Sequence, residues 1–325
     1  MKIGLALSSG GARGLAHIGV LRALEKLRIK VDFIAGSSMG AIVGGLYSLN
    51  PNAEEVREKV EFFLKKYEGQ LSSFKNYCAE SEEKERRLFL EKSFRFIKKL
   101  ALWNLKIIKP YLMNPKLFFQ IIRDIFKEYT FQQCKIPFVC SAVDLIAGEP
   151  FFMLTGRIYK AVAASALLPG FFPPIKRKGK LLVDGGVLVP LPASILKDKV
   201  DFIIGVTLEE EYLTLTNVKN VLDVIFLIDR IRYKEILRSN LKETDFIIRP
   251  PVHSYKWVDF DKYEELISLG EKETFEHQKE LMRRIKRAKW RKFFLPFNRG
   301  GEKSVALYSV NRERVRSINF REKVK

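Results

Sequence analysis

Two short apolar runs near the N-terminus are each followed by a glycine-containing turn and then by a helical pattern. The pattern predicts a strand over 2–7, a loop over 10–14, a helix over 15–27, a strand over 31–35, a turn over 36–40 and a helix over 41–49. This repeated order is typical of an α/β sheet whose functional loops follow the carboxyl ends of its strands. A length of 325 residues with 47% hydrophobic residues accommodates one large α/β unit with an appendage.

The rest of the chain continues the alternation less regularly. Residues 53–128 read as mainly helical and charged, and a rigid loop is predicted over 169–174. Further strands are predicted over 136–141, 150–154, 181–183, 201–208 and 245–248, with a helix over 158–167. Past about residue 286 the pattern weakens, and Arg299-Gly300-Gly301 suggests a loose tail.

Few residues in the chain are suited to disulfides or metal ions. Its three cysteines form an odd, widely spaced set, and it has three histidines without an H-E-x-x-H motif. The cysteines therefore predict reduced thiols in a reducing compartment, and the composition argues against a disulfide framework, a Cys-rich zinc site and a His-built metal centre. No cofactor is expected. The N-terminal apolar run is too short for a signal-peptide core, and no uncharged apolar stretch is long enough to predict a transmembrane helix.

The net charge of +20 is concentrated in two places. Residues 84–127 hold 12 Lys and Arg against three acidic residues, and residues 281–325 hold 15 against three, which leaves the rest nearly neutral. The first segment is also amphipathic. We interpret both as contacts with an anionic membrane surface, with solvated basic helices as the plainer alternative. Nucleic acid phosphates would satisfy the same charge and are the less favoured partner.

The sharpest local motif is Gly36-Ser37-Ser38-Met39-Gly40, a G-x-S-x-G between a predicted strand and a predicted helix. A serine at the apex of such a turn has its hydroxyl exposed, and the crowded backbone on either side requires glycine. The helix N-terminus that follows favours negative charge at the reacting centre. This spacing makes Ser38 the candidate nucleophile, whereas a small-residue turn without chemistry is the plainer interpretation.

A serine hydroxyl needs a base to accept its proton, and the histidines are poor candidates. His253 and His277 have no motif around them and read as surface residues, while His17 reads as a packing residue in the first helix. Asp184 directly follows an apolar strand and precedes Gly185-Gly186, although Asp-Gly is also a common turn pair. A free aspartate has a pKa near 3.9, so a base at this position requires desolvation to raise it.

The glycine loop Ser9-Gly10-Gly11-Ala12-Arg13-Gly14 has two interpretations. A dinucleotide loop would need G-x-G-x-x-G, but serine occupies the first glycine position, and no G-K-[ST] marks a P-loop. Alternatively, its successive amides at a helix start form an oxyanion hole, with Arg13 adding positive charge. The serine turn favours the second interpretation.

Four ordered blocks of this chain resemble those of the patatin-like phospholipase family, the third being typical of bacterial members. They are residues 10–21, 36–40, 163–174 and 184–186, within a resemblance that spans about 5–197 and continues more weakly to about 285. The resemblance implies a three-layer α/β/α sandwich around a mostly parallel sheet, with a helical basic insertion and a basic C-terminal tail as additions here. Its domains would be 1–285, with the helical segment at 53–130, and the tail 286–325.

The resemblance also implies how the site works. Ser38 would be the nucleophile and Asp184 the base of a Ser–Asp pair that acts on acyl esters of glycerolipids without a metal. The implied oxyanion hole consists of Gly10, Gly11, Ala12, Arg13 and the amide of Met39, and the motif glycines are Gly14, Gly36, Gly40, Gly185 and Gly186. Ser9 stands where the family usually has the first of three glycines, and a serine there would be strained if the position needed a positive φ.

We therefore predict a cytoplasmic serine acyl hydrolase located at the inner face of the membrane. The competing hypothesis is a non-catalytic protein that binds membrane lipid or nucleic acid on the same scaffold, favoured by Ser9 and by the two basic segments. A third, a nucleotide-dependent Rossmann enzyme, would bind a cofactor.

Overall fold

The structure is a computed structural model that describes residues 1–73, 75–76, 115–177, 179–209 and 221–294. Most of the basic segment 84–127, namely 84–114, and the tail beyond residue 294 lie outside the described residues. The amphipathic pattern of this segment therefore lies outside them except for residues 115–127. No helix of the described residues is both long enough and apolar enough to cross a membrane.

A twisted mixed sheet forms the centre of the described residues. Its strands are β1 (Ile3–Leu7), β2 (Phe33–Ser37), β3 (Phe138–Asp144), β4 (Glu149–Met153), β5 (Ile175–Arg177), β6 (Lys180–Asp184), β7 (Phe202–Val206) and β8 (Phe246–Ile248). The order is β5-β6-β3-β2-β1-β7-β8, with β4 paired to β3. Strands β3, β2, β1, β7 and β8 run parallel. Strands β4 and β6 pair antiparallel with β3, and β5 pairs antiparallel with β6.

Helices flank both faces of this sheet. They are α1 (Ala16–Lys26), α2 (Met39–Leu49), α3 (Ala53–Lys66), α4 (Pro115–Phe126), α5 (Ile158–Ser165), α6 (Val221–Leu241), α7 (Tyr263–Glu276) and α8 (Gln278–Phe294). Local sequence explains several of their ends. Asn52 caps α3 by accepting from the amides of Glu54 and Glu55, and acidic residues in its first turn and lysines in its last favour the helix dipole.

Alternate side chains of each buried strand enter two different cores. Leu5, Leu7, Ile34 and Ile204 belong to the larger core, which helices α1, α2, α5 and α7 cover. Ala6, Ala35, Val139 and Ile203 belong to the smaller core, which the segment 191–200 and helix α6 cover. Because successive strand residues point to opposite faces, both faces are buried and the predicted α/β sandwich is confirmed.

Element boundaries differ from the prediction in a few places. Strand β2 lies two residues later than expected, because the Asp32 carboxylate accepts from the Ile3 amide at 2.8 Å and thereby serves as a cap beside β1. Residues 175–177 form the edge strand β5, which the sequence did not predict. Helix α8 runs from Gln278 to Phe294 and so continues across the predicted boundary between residues 285 and 286.

Candidate active site

Ser38 lies on a sharp turn between β2 and α2. Its backbone has φ 53° and ψ −120°, a conformation that non-glycine residues seldom adopt, and its side chain is partly exposed. The turn is stabilised by hydrogen bonds from the Ala41 and Ile42 amides to the Ser38 carbonyl at 2.9 and 3.2 Å. A strained serine at the top of a strand, followed at once by a helix, matches the predicted nucleophile turn.

The glycines of this turn are explained by backbone contacts. A Cβ on Gly36 would collide with the Gly40 carbonyl, and a Cβ on Gly40 would collide with the Leu7 carbonyl at the end of β1. A Cβ on Gly14 would collide with the Met39 side chain, so the glycine loop packs directly against the serine turn. These three positions therefore bring α2, β1 and the glycine loop closer together than any other residue would allow.

Asp184 meets Ser38 because two strands approach each other along β3. Strand β2 pairs with Phe138–Ser141 of β3, and β6 pairs antiparallel with Ala142–Asp144. Since β4 pairs with the other edge of β3, the ends of β2 and β6 meet head to head on one edge. Ser37 pairs with Ser141 and Asp184 with Ala142, so the register alone places residues 38 and 184 side by side.

The Ser38 hydroxyl donates a 2.7 Å hydrogen bond from Oγ to Oδ2 of Asp184. The other carboxylate oxygen, Oδ1, accepts from the Gly186 amide at 2.7 Å, and the Asp184 amide donates to the Leu167 carbonyl at 3.0 Å. The Asp-Gly turn expected as the plainer interpretation is thus present, as a 3₁₀ turn over Gly185–Val187. It leaves Oδ2 directed at the serine.

Burial changes the acidity of this carboxyl group. Asp184 is 4% exposed, and desolvation raises its pKa to about 6, against the lowering effect of its hydrogen bonds with Gly186 and Ser38. Gly185 has no room for a side chain because a Cβ there would collide with Ser141, so the residue after Asp184 packs directly against β3. The raised pKa is in the direction that a base at neutral pH requires.

The glycine loop forms a 3₁₀ turn over Gly11–Leu15 whose amides are not equally available. The Ala12 amide donates to the Trp257 carbonyl at 2.7 Å, so the sequence-based assignment of Ala12 to the oxyanion hole is wrong for this structure. The Arg13 amide is used within the turn itself, because a 3₁₀ turn that begins at Gly11 engages it with the Gly10 carbonyl. In the described residues, the amides of Gly10, Gly11 and Met39 make no hydrogen bond.

The Arg13 side chain does not supply free positive charge to the loop. Its Nη2 pairs with Oε1 of Glu209 at 2.7 Å, and both side chains are about one-fifth exposed. The carboxylate offsets most of the guanidinium charge, so the expected contribution of Arg13 to an oxyanion is small. Its side chain instead ties the glycine loop to the segment after β7.

The structure also shows the surroundings of the three histidines and the backbone conformation of Ser9. His17 is fully buried and its Nε2 donates to the Ser8 carbonyl at 2.9 Å, and burial lowers its pKa to about 4, so it is a neutral packing residue. His253 and His277 are exposed, as predicted. Ser9 is not among the residues with positive φ, so the strain expected at this position is absent.

Two contributors to the site were not identified from the sequence. The Ser165 hydroxyl accepts from the Ser38 amide at 3.0 Å, and it belongs to the third block of the resemblance. Trp257 holds the glycine loop through its carbonyl and contacts Phe171 edge to face, with ring centroids 5.1 Å apart. No local motif surrounds Trp257, so only the folded chain reveals it. No cluster of His, Cys, Asp or Glu suited to a metal ion occurs in the described residues.

The fold and the site thus define an α/β protein with a serine–carboxylate pair at the carboxyl edge of its sheet. Residues 5–197 match the sequence profile of the patatin-like phospholipase family. Because this match covers more than half of the chain, the protein belongs to the patatin-like phospholipase family.

Curated relatives agree with this membership. Lysophospholipase NTE1 of Meyerozyma guilliermondii is 27% identical over 297 residues, which is 82% of this chain and 18% of that protein. An uncharacterized NTE family protein of Mycobacterium tuberculosis is 33% identical over 208 residues, which is 64% of this chain and 49% of that protein. The chain therefore spans half or less of the length of these relatives.

Solved structures with some similarity include VipD from Legionella pneumophila, with a TM-score of 0.40 and 14% identity over 85% of this chain and 66% of that one. The ExoU–SpcU complex from Pseudomonas aeruginosa gives a TM-score of 0.40 and 16% identity over 88% of this chain and 52% of that one.

Proposed function

We propose that the protein is a metal-independent serine acyl hydrolase that cleaves fatty acyl esters of glycerolipids. The observation that carries this proposal is the 2.7 Å hydrogen bond between the Ser38 hydroxyl and a buried Asp184 carboxylate. Membership in a family described as patatin-like phospholipase, and relatives named lysophospholipase, support a lipid ester as the substrate.

In the proposed reaction, Ser38 Oγ attacks the ester carbonyl carbon while its proton passes to Asp184 Oδ2. The carbonyl oxygen becomes an alkoxide that the amides of Gly10, Gly11 and Met39 can stabilise, and removal of one such donor typically costs about 2.7–4 kcal/mol. Collapse breaks the ester C–O bond, and the leaving alcohol takes the proton from Asp184. Water then attacks the acyl-serine, gives its proton to Asp184, and the fatty acid leaves as Ser38 regains its proton.

Apolar side chains near the site support an acyl chain as the group that is bound. The aromatic pair of Phe171 and Trp257 lies beside the glycine loop, and Phe172 packs against Phe118 of α4 with centroids 4.7 Å apart. The loop that carries Phe171 and Phe172 follows Leu167, whose carbonyl accepts from the Asp184 amide. Aromatic rings provide large apolar surface for a hydrocarbon chain.

We also propose that the protein is cytoplasmic and meets an anionic membrane surface through its basic segments. In the described part of 281–325, helix α8 exposes Lys286, Arg287, Lys289 and Arg291, which make no ion pair within the described residues. Trp290, on the same helix, is 62% exposed. Basic side chains interleaved with an aromatic ring suit a lipid headgroup region.

Fluorophosphonate labelling tests the chemistry directly, because the probe phosphonylates an activated serine. We expect the wild-type protein to be labelled and Ser38→Ala to lose both labelling and release of fatty acid from defined phospholipids and lysophospholipids. Ser37→Ala is the matched control, since the adjacent Ser37 hydroxyl is buried without a hydrogen bond and should keep labelling. Hydrolysis that persists in Ser38→Ala would contradict the role of Ser38 as nucleophile, whereas absence of labelling and hydrolysis from the wild type would favour the non-catalytic alternative.

A further inference from the structure

A pair of hydroxyl groups lies behind the glycine loop and takes no part in the proposed reaction. Ser9 Oγ and the Tyr233 phenol oxygen are 3.2 Å apart, within hydrogen-bond distance. Tyr233 is on helix α6, on the opposite face of the sheet from α2, and packs against the smaller core. Ser9 is also the position at which this chain departs from the family pattern of three glycines.

Ser9 packs against Gly186, the residue whose amide donates to the Asp184 carboxylate. A Cβ built on Gly186 would lie 2.9 Å from Ser9 Oγ and 3.1 Å from Asp184 Oδ1, so Gly186 is held between the two side chains. The Gly186 amide is the donor to Oδ1. Movement of the Ser9 side chain would therefore shift the Gly186 amide, and with it the orientation of Asp184.

The backbone of Ser9 connects both halves of the candidate site. Its amide donates to the Pro190 carbonyl at 2.9 Å, in the segment that follows Asp184. The next two residues are Gly10 and Gly11, which carry two of the three amides available to an oxyanion. The carboxylate and the amide donors thus share Ser9 as a common support.

The surroundings of Tyr233 keep its hydroxyl protonated at neutral pH. Burial, together with the nearby Glu209 carboxylate, raises the pKa of this phenol above its ordinary value. A neutral phenol can donate a hydrogen bond to Ser9 Oγ or accept one from it. Glu209 is itself held by Arg13 of the glycine loop at 2.7 Å, so α6 and the loop share one polar cluster.

We propose that Tyr233 is a positioning residue for the Ser38–Asp184 reaction, acting through Ser9 on the Gly186 and Gly10–Gly11 backbone. This inference rests on the proposed function, and it assigns to an outer helix the task of fixing both the carboxylate and the amide donors. Tyr233 touches neither the substrate nor the reacting atoms. The Ser9 hydroxyl, which a glycine at this position would lack, connects Tyr233 to the backbone of Gly186 and of Gly10–Gly11.

The first test compares the kinetics of Tyr233→Phe with those of the wild type on a monomeric ester. Loss of one hydrogen bond that holds the site should lower kcat about fivefold to tenfold, with KM changed much less. Water that reaches a loosened Asp184 should also lower its pKa from about 6, so the acidic limb of the pH–rate profile should move to lower pH. Unchanged kcat and an unchanged limb would overturn the proposal.

Coupling between the two hydroxyls separates positioning from a general loss of stability. Ser9→Ala keeps the Cβ that packs on Gly186 but removes the hydroxyl, and Tyr233→Phe in that background should have little further effect. Tyr67→Phe is the matched control, since its phenol donates to Asp124 at 2.7 Å, and its kcat should equal that of the wild type. Multiplicative effects of Ser9→Ala and Tyr233→Phe would contradict the proposed route through Ser9.

Hydrogen exchange gives a readout that needs no turnover. Amides over residues 8–14 and 184–190 should exchange faster in Tyr233→Phe than in the wild type or in Tyr67→Phe. Equal exchange in all three proteins would overturn the inference even if the wild type proved inactive. Conversely, an active wild type with Ser38-dependent labelling and an unaffected Tyr233→Phe would leave the proposed function intact and remove only this inference.

Discussion

A single carboxyl group carries most of the chemistry proposed for this protein, and its properties come from burial. In water Asp184 would titrate near pH 3.9 and would be a weak base. In the folded chain Asp184 is 4% exposed, and this burial raises its pKa to about 6. The residue type was visible in the sequence, whereas the environment that makes it a useful base was not.

The pH dependence of hydrolysis should report this pKa. Asp184 accepts a proton only when it is ionised, so kcat/KM should fall as the pH drops through about 6 and be constant above it until the alkaline limb. A pH–rate profile on a substrate without ionisable groups in this range checks the prediction. An acidic limb near pH 4, as for a solvated aspartate, would contradict the role assigned to burial.

The same burial predicts a gain of stability when the charge is removed. Asp184 has a higher pKa in the folded chain than in the unfolded chain, so its ionisation opposes folding as the pH rises from about 4 to 6. Asp184→Asn should therefore be more stable than the wild type above pH 6, by an amount on the order of 2–3 kcal/mol, and should lose hydrolysis.

Denaturant unfolding of both proteins between pH 4 and 8 measures that difference. The comparison with the variant is needed because buried His17, whose pKa is lowered to about 4, changes the stability of both proteins in the opposite direction. A difference that does not grow with pH between 4 and 6 would show that the carboxylate is not destabilised by burial.

Helices α1 and α7 are packed more closely than ordinary side chains permit. A Cβ on Gly19 would overlap the Ile267 carbonyl, and a Cβ on Gly270 would overlap the Ala16 carbonyl. Helix α1 continues from the glycine loop, so this crossing fixes the helix that follows the candidate oxyanion amides. Gly19 belongs to the first resemblance block, while its partner Gly270 lies far outside the matched residues 5–197.

Gly270→Ala should consequently separate these two helices. Because the overlap is with backbone, which cannot rotate away, we expect a loss of stability of about 3 kcal/mol, at the upper end for overpacked sites. Thermal unfolding measures the change. Gly69→Ala is the control, since a Cβ at this exposed position meets nothing within 4 Å and should be neutral or stabilising by up to about 1 kcal/mol.

At the scale of the molecule, helix α8 lies at the amino ends of the parallel strands, whereas Ser38 lies at a carboxyl end. Lys292 of α8 pairs with Asp201 at 2.6 Å, just before β7 begins, and Arg284 donates to the Asp245 carbonyl, just before β8. Ser38 follows the carboxyl end of β2, which runs parallel to both strands. The charge on α8 that we propose to contact a membrane therefore lies at a distance from the site.

Association with anionic vesicles should depend on α8. Replacement of Lys286, Arg287 and Lys289 by Gln should weaken binding by roughly 100-fold, at about 1 kcal/mol for each of the three charges near the surface. Replacement of exposed Lys59, Lys160 and Lys176, on α3, α5 and β5, removes the same charge elsewhere and should have a smaller effect. Co-sedimentation at low and high salt measures this, and binding that is insensitive to salt would contradict the electrostatic interpretation. Stronger binding to nucleic acid than to vesicles would favour the alternative partner.

The order of local motifs along the chain was sufficient to predict the α/β class, the serine turn and the family. These features depend on neighbours within a few residues, such as the glycines that flank Ser38, so they are visible in one sequence. Element ends were less accurate because contacts such as that of Asp32 with Ile3 come from distant residues. The segment 84–114, from which much of the charge argument came, lies outside the described residues.

Tertiary structure alone decided which groups meet. The shared edge of β3 brings Ser38 to Asp184, the Trp257 carbonyl occupies the Ala12 amide, and Glu209 neutralises Arg13. Tyr233 reaches Ser9 from a helix that no motif connects to the site. Each of these contacts joins residues far apart in the chain, and the position of each depends on the packing of whole elements. Sequence patterns of short range thus specify the reactive groups, whereas the register of the sheet and the packing of its helices determine their geometry and charge.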